Sequence, residues 1–328
     1  MNMKKNNSFN NKKAVITGIY GQDAYFLAKS LVNSGYEVFG TTRKKRSSII
    51  NNFLIDKNIF EVDLQNYNEV TNFLNHINPS FIYHLSAQSS VATSFKKINE
   101  TEKSIINTTK NFLEYLKKND SKIKFYNACS SECFGETKGF IADETTIFNP
   151  ISPYGRFKSE AFVLVSEYRE SYSLNLKSGI LFNHESKIRP KFYVTQKIID
   201  SAYRASQDLL DEIEIGNITI SRDWGYAPEY IEAMRLIAES EYNEDYIVAT
   251  GISCTLEEFI RLSFNFFGLD YKNYIKINPK FYREKEIMES NGNPKKIHQH
   301  LGWRAKTDYK KLINKLCKHK QESENNMC

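Results

Sequence analysis

No apolar run in the 328-residue sequence approaches the ~20 residues that a membrane-spanning helix needs. The opening MNMKKNNSFNNKK lacks the apolar core of a signal peptide, so the expectation is a cytoplasmic protein away from membranes. Cysteine is scarce: five residues, Cys129, Cys133, Cys254, Cys317 and Cys328. Only Cys129 and Cys133 have a metal-type spacing, and no second ligand pair accompanies them, so no metal is expected. An odd count without a secretion signal points to reduced thiols. There is no internal repeat. There is also no basic helix or finger motif, so nucleic acid is not the expected partner. The net charge of +6 is spread along the whole chain. It reads as a Lys- and Asn-rich composition, or else as attraction for an anionic ligand such as a nucleotide.

What is present is a core-forming pattern. The chain is 41% hydrophobic, enough for one large domain or two interlocked ones. KKAVITG reads as a short buried strand ending at Gly18. DAYFLAKSLVNSG has apolar residues at helical spacing and stops at Gly35, a C-terminal cap. The strands YEVFGTT, IFEVDL, SFIYHLSA, KIKFYNACS and LNLKSGILFN follow. Between them lie the helices NYNEVTNFLNHIN, SIINTTKNFLEYLKKN and residues 153–172. This alternation predicts an α/β fold: a Rossmann-type, doubly wound parallel sheet with helices on both faces. After Asn183 the rhythm breaks, and apolar runs are short over 183–222. DYIVATG reads as another strand, and TLEEFIRLSFNFFG as a helix capped by Thr255. The expected division is a nucleotide-binding domain over 12–182, which also receives part of 223–250. A smaller mixed α/β lobe, mainly 183–318, would bind the substrate. Residues 1–11 and 319–328 are expected to be loose tails.

TGIYGQDA follows the first strand and opens the first helix. Gly18 permits the tight turn, and Gly21 lets backbone approach a pyrophosphate at the helix N-terminus. Ala24 is small enough for close packing, and Tyr20, Gln22 and Asp23 line the same turn. The second strand ends in TTRKKRSS. A site preferring NAD usually offers an acidic residue there for the ribose 2′-hydroxyl. Here Arg43, Lys44, Lys45 and Arg46 stand instead, which suits a 2′-phosphate, so NADP is the expected cofactor. One or two of the four basic residues suffice. Asp63 and Leu64 end the third strand, placed to meet the adenine. Leu85, Ala87 and Ser89 follow the fourth, placed to line the ribose and nicotinamide. Both sit at the strand ends where ligands bind in open parallel sheets.

The fifth strand ends in ACSSECFG, which brings Ser130, Ser131 and Glu132 to the same edge. The next helix opens with SPYGRFK, placing Tyr154 and Lys158 one turn apart on one face. A lysine beside a tyrosine depresses its pKa by stabilising the phenolate. That phenolate can take a proton from a sugar hydroxyl as hydride leaves to a nicotinamide, with Ser130 bonded to the same oxygen.

With these stretches in place, the chain resembles the GDP-mannose 4,6-dehydratase family of the extended short-chain dehydrogenases/reductases. The resemblance runs over roughly residues 12 to 315. Its matching stretches are VITGIYGQDA, AQSSVATSF, SSECFG, SPYGRFKSEA, GILFNHES, VTQKI, RDWGYAPEYIEAM and LGWRAKT. It implies that Ser130 contacts the reacting hydroxyl, that Glu132 is the base, and that Tyr154 and Lys158 are the redox pair. It further implies that His184 and Arg189 lie near the cofactor. Ser90, Asn183, Lys197, Arg222, Arg283 and Glu286 would hold the sugar nucleotide, although Arg222 also reads as a surface ion pair. The implied reaction is NADP-dependent 4,6-dehydration of a GDP-sugar, GDP-mannose or a GDP-heptose, in surface-polysaccharide precursor synthesis. A nucleotide-sugar 4-reductase or epimerase, a decarboxylase and a non-catalytic NADP sensor are the alternatives, the last disfavoured by the retained Tyr154 and Lys158. The sequence departs from the family at Tyr20, a smaller residue there, and at Ala24, the third glycine. Ser90 replaces a histidine, Gln196 an arginine and Glu284 a proline. The segment after Arg43 is also shorter, in a loop the family uses for tetramer contacts, so homodimer and homotetramer both stay open.

Overall fold

The computed structural model of the protein describes residues 12–119, 122–210 and 212–325. The first unit runs β1 (Lys13–Thr17), α1 (Gln22–Asn33), β2 (Glu37–Thr42), β3 (Ile59–Glu61), α2 (Tyr67–Ile77) and β4 (Phe81–His84). It continues through α3 (Val91–Lys96), α4 (Ile98–Glu102), α5 (Thr108–Lys118), β5 (Lys124–Ser130), α6 (Pro153–Tyr172) and β6 (Leu176–Leu181). Then come β7 (Asn183–Glu185), α7 (Val194–Ala205), β8 (Ile213–Ile215), β9 (Ser221–Tyr226), α8 (Ala227–Glu239) and β10 (Tyr246–Val248). The chain ends with β11 (Ser253–Thr255), α9 (Leu256–Phe266), β12 (Ile275–Ile277), β13 (Glu289–Ser290), α10 (Lys295–Leu301) and α11 (Tyr309–Asn325).

Seven strands form one sheet in the order β10-β6-β5-β4-β1-β2-β3. Every pair in it is parallel. The strand order reverses between β1 and β4, so the ligand crevice of such a sheet opens there. One face packs Leu27, Leu31, Tyr230, Met234 and Ile237 of α1 and α8. The other packs Val70, Phe73, Phe112 and Leu116 of α2 and α5, with Val165 of α6. The doubly wound fold expected from the sequence is the one observed. The segment 223–250 supplies α8 and β10 to this first unit.

Local signals end the elements where expected. Asn66 caps α2 by accepting the N–H groups of Asn68 (3.0 Å) and Glu69 (3.3 Å). Thr255 caps α9 through Glu258 N–H (3.1 Å). Gly35 follows α1 at a φ of +82°. The helix expected over 104–119 starts earlier, because a π-helical turn at Lys103–Asn107 joins α4 to α5.

The second unit is mixed. β9 pairs with β7, β11 and β13, and β8 pairs with β12. Its core gathers Ile198, Trp224, Phe259, Phe264, Leu312 and Leu316. One expectation is corrected: residues 319–325 are not a loose tail but the last turns of α11. There Lys320 pairs with Asp200 (2.7 Å) and Glu324 (2.6 Å). The tail expected at 1–11, and 326–328, lie outside the described residues. No described helix is long and apolar enough to cross a membrane.

Candidate active site

The site begins where β1 ends. Gly18 has a φ of +67°, and a Cβ there would stand 3.0 Å from Ser86 Cβ, so the turn requires glycine. Gly21 N–H donates to Gly18 O (2.8 Å) and starts α1 without a side-chain cap. The N–H groups of the first turn are therefore presented to an anion. Thr17 Oγ1 accepts the N–H groups of both Leu85 and Ser86 at 2.9 Å, which ties the loop after β4 to β1. Gln22 reaches across to β7: its Oε1 accepts Ser186 Oγ (2.7 Å) and its Nε2 donates to His184 O (3.3 Å).

Asp23 meets His184 Nε2 at 2.9 Å, while His184 Nδ1 lies 2.7 Å from Phe182 O. The ring stacks on Tyr230, with centroids 4.7 Å apart. Burial works against both charges, yet the pair outweighs it. Asp23 is held down to about 2, and His184 is raised above its ordinary value. Arg189 Nε stands 3.4 Å from Glu185 Oε2, and its guanidinium lies 3.6 Å over the Tyr193 ring.

At the end of β2, Arg43 is exposed and makes no hydrogen bond or ion pair among the described residues. Asp63 closes its own turn, its Oδ1 accepting Gln65 N–H (3.0 Å). Leu64 is buried beneath it, with its carbonyl accepting Asn111 Nδ2 (2.9 Å). Ala87 packs against the cluster that contains Tyr154 and Phe157. Ser89 Oγ is 3.0 Å from Tyr193 Oη.

β5 delivers Ser130, and a short 3₁₀ turn over Ser131–Cys133 delivers Glu132. Ser130 Oγ accepts Glu132 N–H (3.3 Å). Helix α6 comes in directly above. Ser152 caps it through Gly155 N–H (3.0 Å), and Pro153 fills the first position. A Cβ on Gly155 would lie 2.5 Å from Glu132 O, so only glycine lets the helix approach this closely. Tyr154, buried, is thereby set against the Ser130–Glu132 turn. Burial pushes its phenol well above the ordinary value, and a hydrogen bond from Ser130 pulls the other way.

The lysine does not do what the sequence led us to expect. Lys158 Nζ donates to Ala128 O (2.7 Å) and stands 6.0 Å from the Tyr154 ring centroid. Its own pKa is lowered by burial. The ammonium is satisfied by a strand carbonyl, and the loss of solvent around Tyr154 dominates. Glu132 is raised by burial, against the lowering influence of Arg222 and Arg283. Ser152 Oγ, 3.5 Å away, donates to its Oε2.

Arg222 and Arg283 come from β9 and from the segment before β13. Both donate to Glu286 Oε1, at 2.9 Å and 3.1 Å. Arg222 is 4% exposed, so the surface ion pair weighed from sequence is a buried one. Asn183 opens β7 and pairs with Trp224 of β9. Lys197 is engaged elsewhere: its Nζ donates to Glu214 O (2.8 Å) and lies 5.3 Å over the Phe281 ring. Ser90 caps α3 through Thr93 N–H (3.2 Å).

Three contributors escaped the sequence reading. Ser152 both caps α6 and donates to Glu132, and the Ser-Pro pair was a signal for it. Ser94 Oγ accepts Tyr154 N–H (3.2 Å) from a helix that was not anticipated. Tyr193 bridges to Ser89, and nothing in its sequence context announces that contact.

The family model described as GDP-mannose 4,6 dehydratase matches residues 15–316. The chain is 37% identical over 320 residues to GDP-mannose 4,6 dehydratase 1 of Arabidopsis thaliana, covering 93% of this chain and 88% of that protein. It is 33% identical over 335 residues to the Homo sapiens GDP-mannose 4,6 dehydratase, covering 92% and 90%. Among solved structures, a UDP-glucose 4-epimerase of Thermotoga maritima with UDP-glucose superposes at a TM-score of 0.84 and 21% identity, covering 95% and 99%. The dTDP-glucose 4,6-dehydratase of Bacillus anthracis in complex with NAD superposes at 0.82 and 16% identity, covering 96% and 98%. These two likenesses show the fold, and the sequence matches show more: the chain belongs to the GDP-mannose 4,6-dehydratase family.

Proposed function

We propose that this protein is an NADP-dependent hydro-lyase that converts a GDP-sugar, GDP-mannose or a close relative such as a GDP-heptose, to its 4-keto-6-deoxy form. The observation that carries this reading is Glu132. Its carboxyl shares one buried turn with Ser130, under Tyr154, and it feels the charges of Arg222 and Arg283. The relatives named as GDP-mannose dehydratases support the sugar and its GDP linkage.

The residues fit a nicotinamide dinucleotide. Gly18 leaves a cradle that a Cβ would fill, α1 starts without a side-chain cap, and Arg43 is an uncommitted cation at the end of β2. When bound, NADP supplies the hydride acceptor at C4 of the sugar and the donor at C6, so the overall reaction has no net redox change. The protein supplies the protons. Tyr154 Oη would take the proton of the C4 hydroxyl, with Ser130 bonded to the same oxygen, and would give a proton to C5 once C6 has been reduced, which leaves the C4 ketone in place. Glu132 removes the C5 proton once a C4 ketone has acidified it. Its raised pKa suits a carboxyl that must also give that proton up, to the departing C6 hydroxyl, as water leaves. The guanidinium groups of Arg222 and Arg283 suit diphosphate oxygens. The buried thiols Cys129, Cys133, Cys254 and Cys317, none of them in a disulfide, fit a reducing cytoplasm.

The test is incubation with GDP-mannose in heavy water, read by mass spectrometry and NMR. The product should lack the C6 oxygen, carry deuterium at C5 and form without net NADPH consumption. A product that keeps its C6 oxygen and consumes NADPH would identify a 4-reductase, which needs no carboxylate at position 132.

A further inference from the structure

Strands β1 and β2 end together: Ile19 N–H donates to Thr41 O at 3.0 Å. Tyr20 and the basic run 43–46 therefore leave the sheet side by side. Tyr20 packs on the core beneath α1. Its hydroxyl accepts the backbone N–H of Arg46 (3.2 Å), and its ring carries the Arg46 guanidinium 5.0 Å from the centroid. Tyr20 thus holds Arg46 at two points, one on the backbone and one on the side chain.

The neighbouring cations are sorted by their contacts. Lys45 is committed to the loop itself: its N–H donates to Glu61 Oε1 (2.7 Å) and its ammonium to Asp56 O (3.3 Å). Lys44 closes a tight turn with Thr42 through its backbone, its N–H donating to Thr42 Oγ1 (3.3 Å) and its carbonyl accepting the same hydroxyl (3.0 Å), and its ammonium is a point charge without the planar fork of an arginine. Arg43 and the guanidinium of Arg46 make no hydrogen bond or ion pair among the described residues. Stacking on a ring occupies only the face of a guanidinium and leaves its in-plane N–H donors free for an oxyanion. Two such forks beside the glycine turn are matched to a phosphate monoester, a compact group with three acceptor oxygens.

We propose that Tyr20 is a positioning residue: it presents Arg46, as partner to Arg43, to the 2′-phosphate of the adenosine ribose, and so sets the preference for NADP over NAD. The inference rests on the NADP reading above and goes beyond it by naming which cation is added and what holds it. It also accounts for an aromatic residue in a turn that otherwise favours small ones.

Direct binding tests it, by titration calorimetry with NADP⁺ and NAD⁺ and no sugar present. Arg46→Met should weaken NADP⁺ about tenfold and leave NAD⁺ unchanged, as expected for losing one charged fork. Tyr20→Leu should reproduce most of that loss, and Tyr20→Phe, which keeps the ring, a smaller part. The double variant Tyr20→Leu/Arg46→Met should be no weaker than Arg46→Met alone, because the two act as one unit. Lys45→Met should leave the ratio of the two affinities within about twofold, since its contacts are spent within the loop. Wild-type protein that binds both nucleotides equally would overturn the NADP reading itself. A preference that Arg46→Met leaves within about twofold of wild type would leave that reading standing and overturn this inference. Equal weakening of both nucleotides by Tyr20→Leu would show that Tyr20 shapes the glycine turn instead, and would overturn the positioning role. An unchanged far-UV circular dichroism spectrum and melting temperature serve as the check that each variant is folded.

Discussion

Tyr154 is a buried phenol whose pKa lies above the ordinary value, so at neutral pH it rests protonated. In the proposed reaction it could act as a base only after losing that proton, and the hydrogen bond from Ser130, which lowers its pKa, favours the phenolate. Tyr154→Phe keeps the ring and its packing but removes that oxygen. Turnover should fall by roughly 10² or more, with the melting temperature nearly unchanged; normal turnover in this variant would reject the assigned site. In the proposed reaction Glu132 would set the pH dependence. As a base it must be ionised, and burial raises its pKa, while Arg222 and Arg283 lower it. The acid limb of kcat should therefore lie above the usual carboxylate range. Removing a lowering charge must raise the pKa further, so Arg283→Gln should move that limb toward neutral pH. A limb that stays put, or moves to lower pH, would place the titrating group elsewhere. Much of this was legible in the sequence, because residues at the C-terminal ends of parallel strands necessarily converge on one edge. The role of Lys158 was not legible. Spacing puts it on the face of Tyr154, but only the packed structure shows its ammonium on Ala128 O.

Helix α6 shows how one element carries several of these residues at once. Ser152 caps it, Pro153 pre-sets its first turn, and Gly155 lets it descend onto the turn of Glu132. Gly155→Ala would be a good helix substitution on propensity alone. Here the new methyl meets Glu132 O at 2.5 Å, and a backbone carbonyl cannot step aside cheaply. We expect a loss of about 1–3 kcal/mol in stability from overpacking, together with a larger fall in turnover than in cofactor affinity. Urea denaturation and steady-state kinetics on the same preparation would check both. A more stable, fully active variant would contradict the close approach. Long elements with strong caps, such as α2, α6 and α9, were readable before the structure. The elements after Asn183 were not, because strands of three residues such as β7, β8 and β11 are too short to show a period. The tail beyond residue 318 read as loose because it is polar. It is helical because Lys320 finds Asp200 and Glu324, contacts that composition cannot reveal.

The chain does not make one unit and then the other. It leaves the large sheet at β6, builds β7, α7, β8 and β9, and returns with α8 and β10 before completing the second unit. The join is polar as well as covalent. Asp223 of β9, fully buried, accepts Thr250 Oγ1 (2.7 Å) and Gly251 N–H (2.7 Å) just after β10. Glu229 of α8 accepts both Thr307 Oγ1 (2.6 Å) and Thr307 N–H (3.1 Å), just before α11. Neither unit can open without breaking these bonds. The protein should therefore unfold in one calorimetric transition. Leu316→Ala empties a buried position in the core of the second unit, at 4% exposure, far from the glycine turn. It should lower that single transition, by about 2–5 kcal/mol if the cavity does not collapse. On the proposed reading NADP⁺ would bind the other unit, yet at about one hundred times its Kd it should raise the same transition, by about 2.7 kcal/mol. Two separate transitions, one moved only by Leu316→Ala and the other only by NADP⁺, would show that the units are independent and that the crossings between them carry no shared stability.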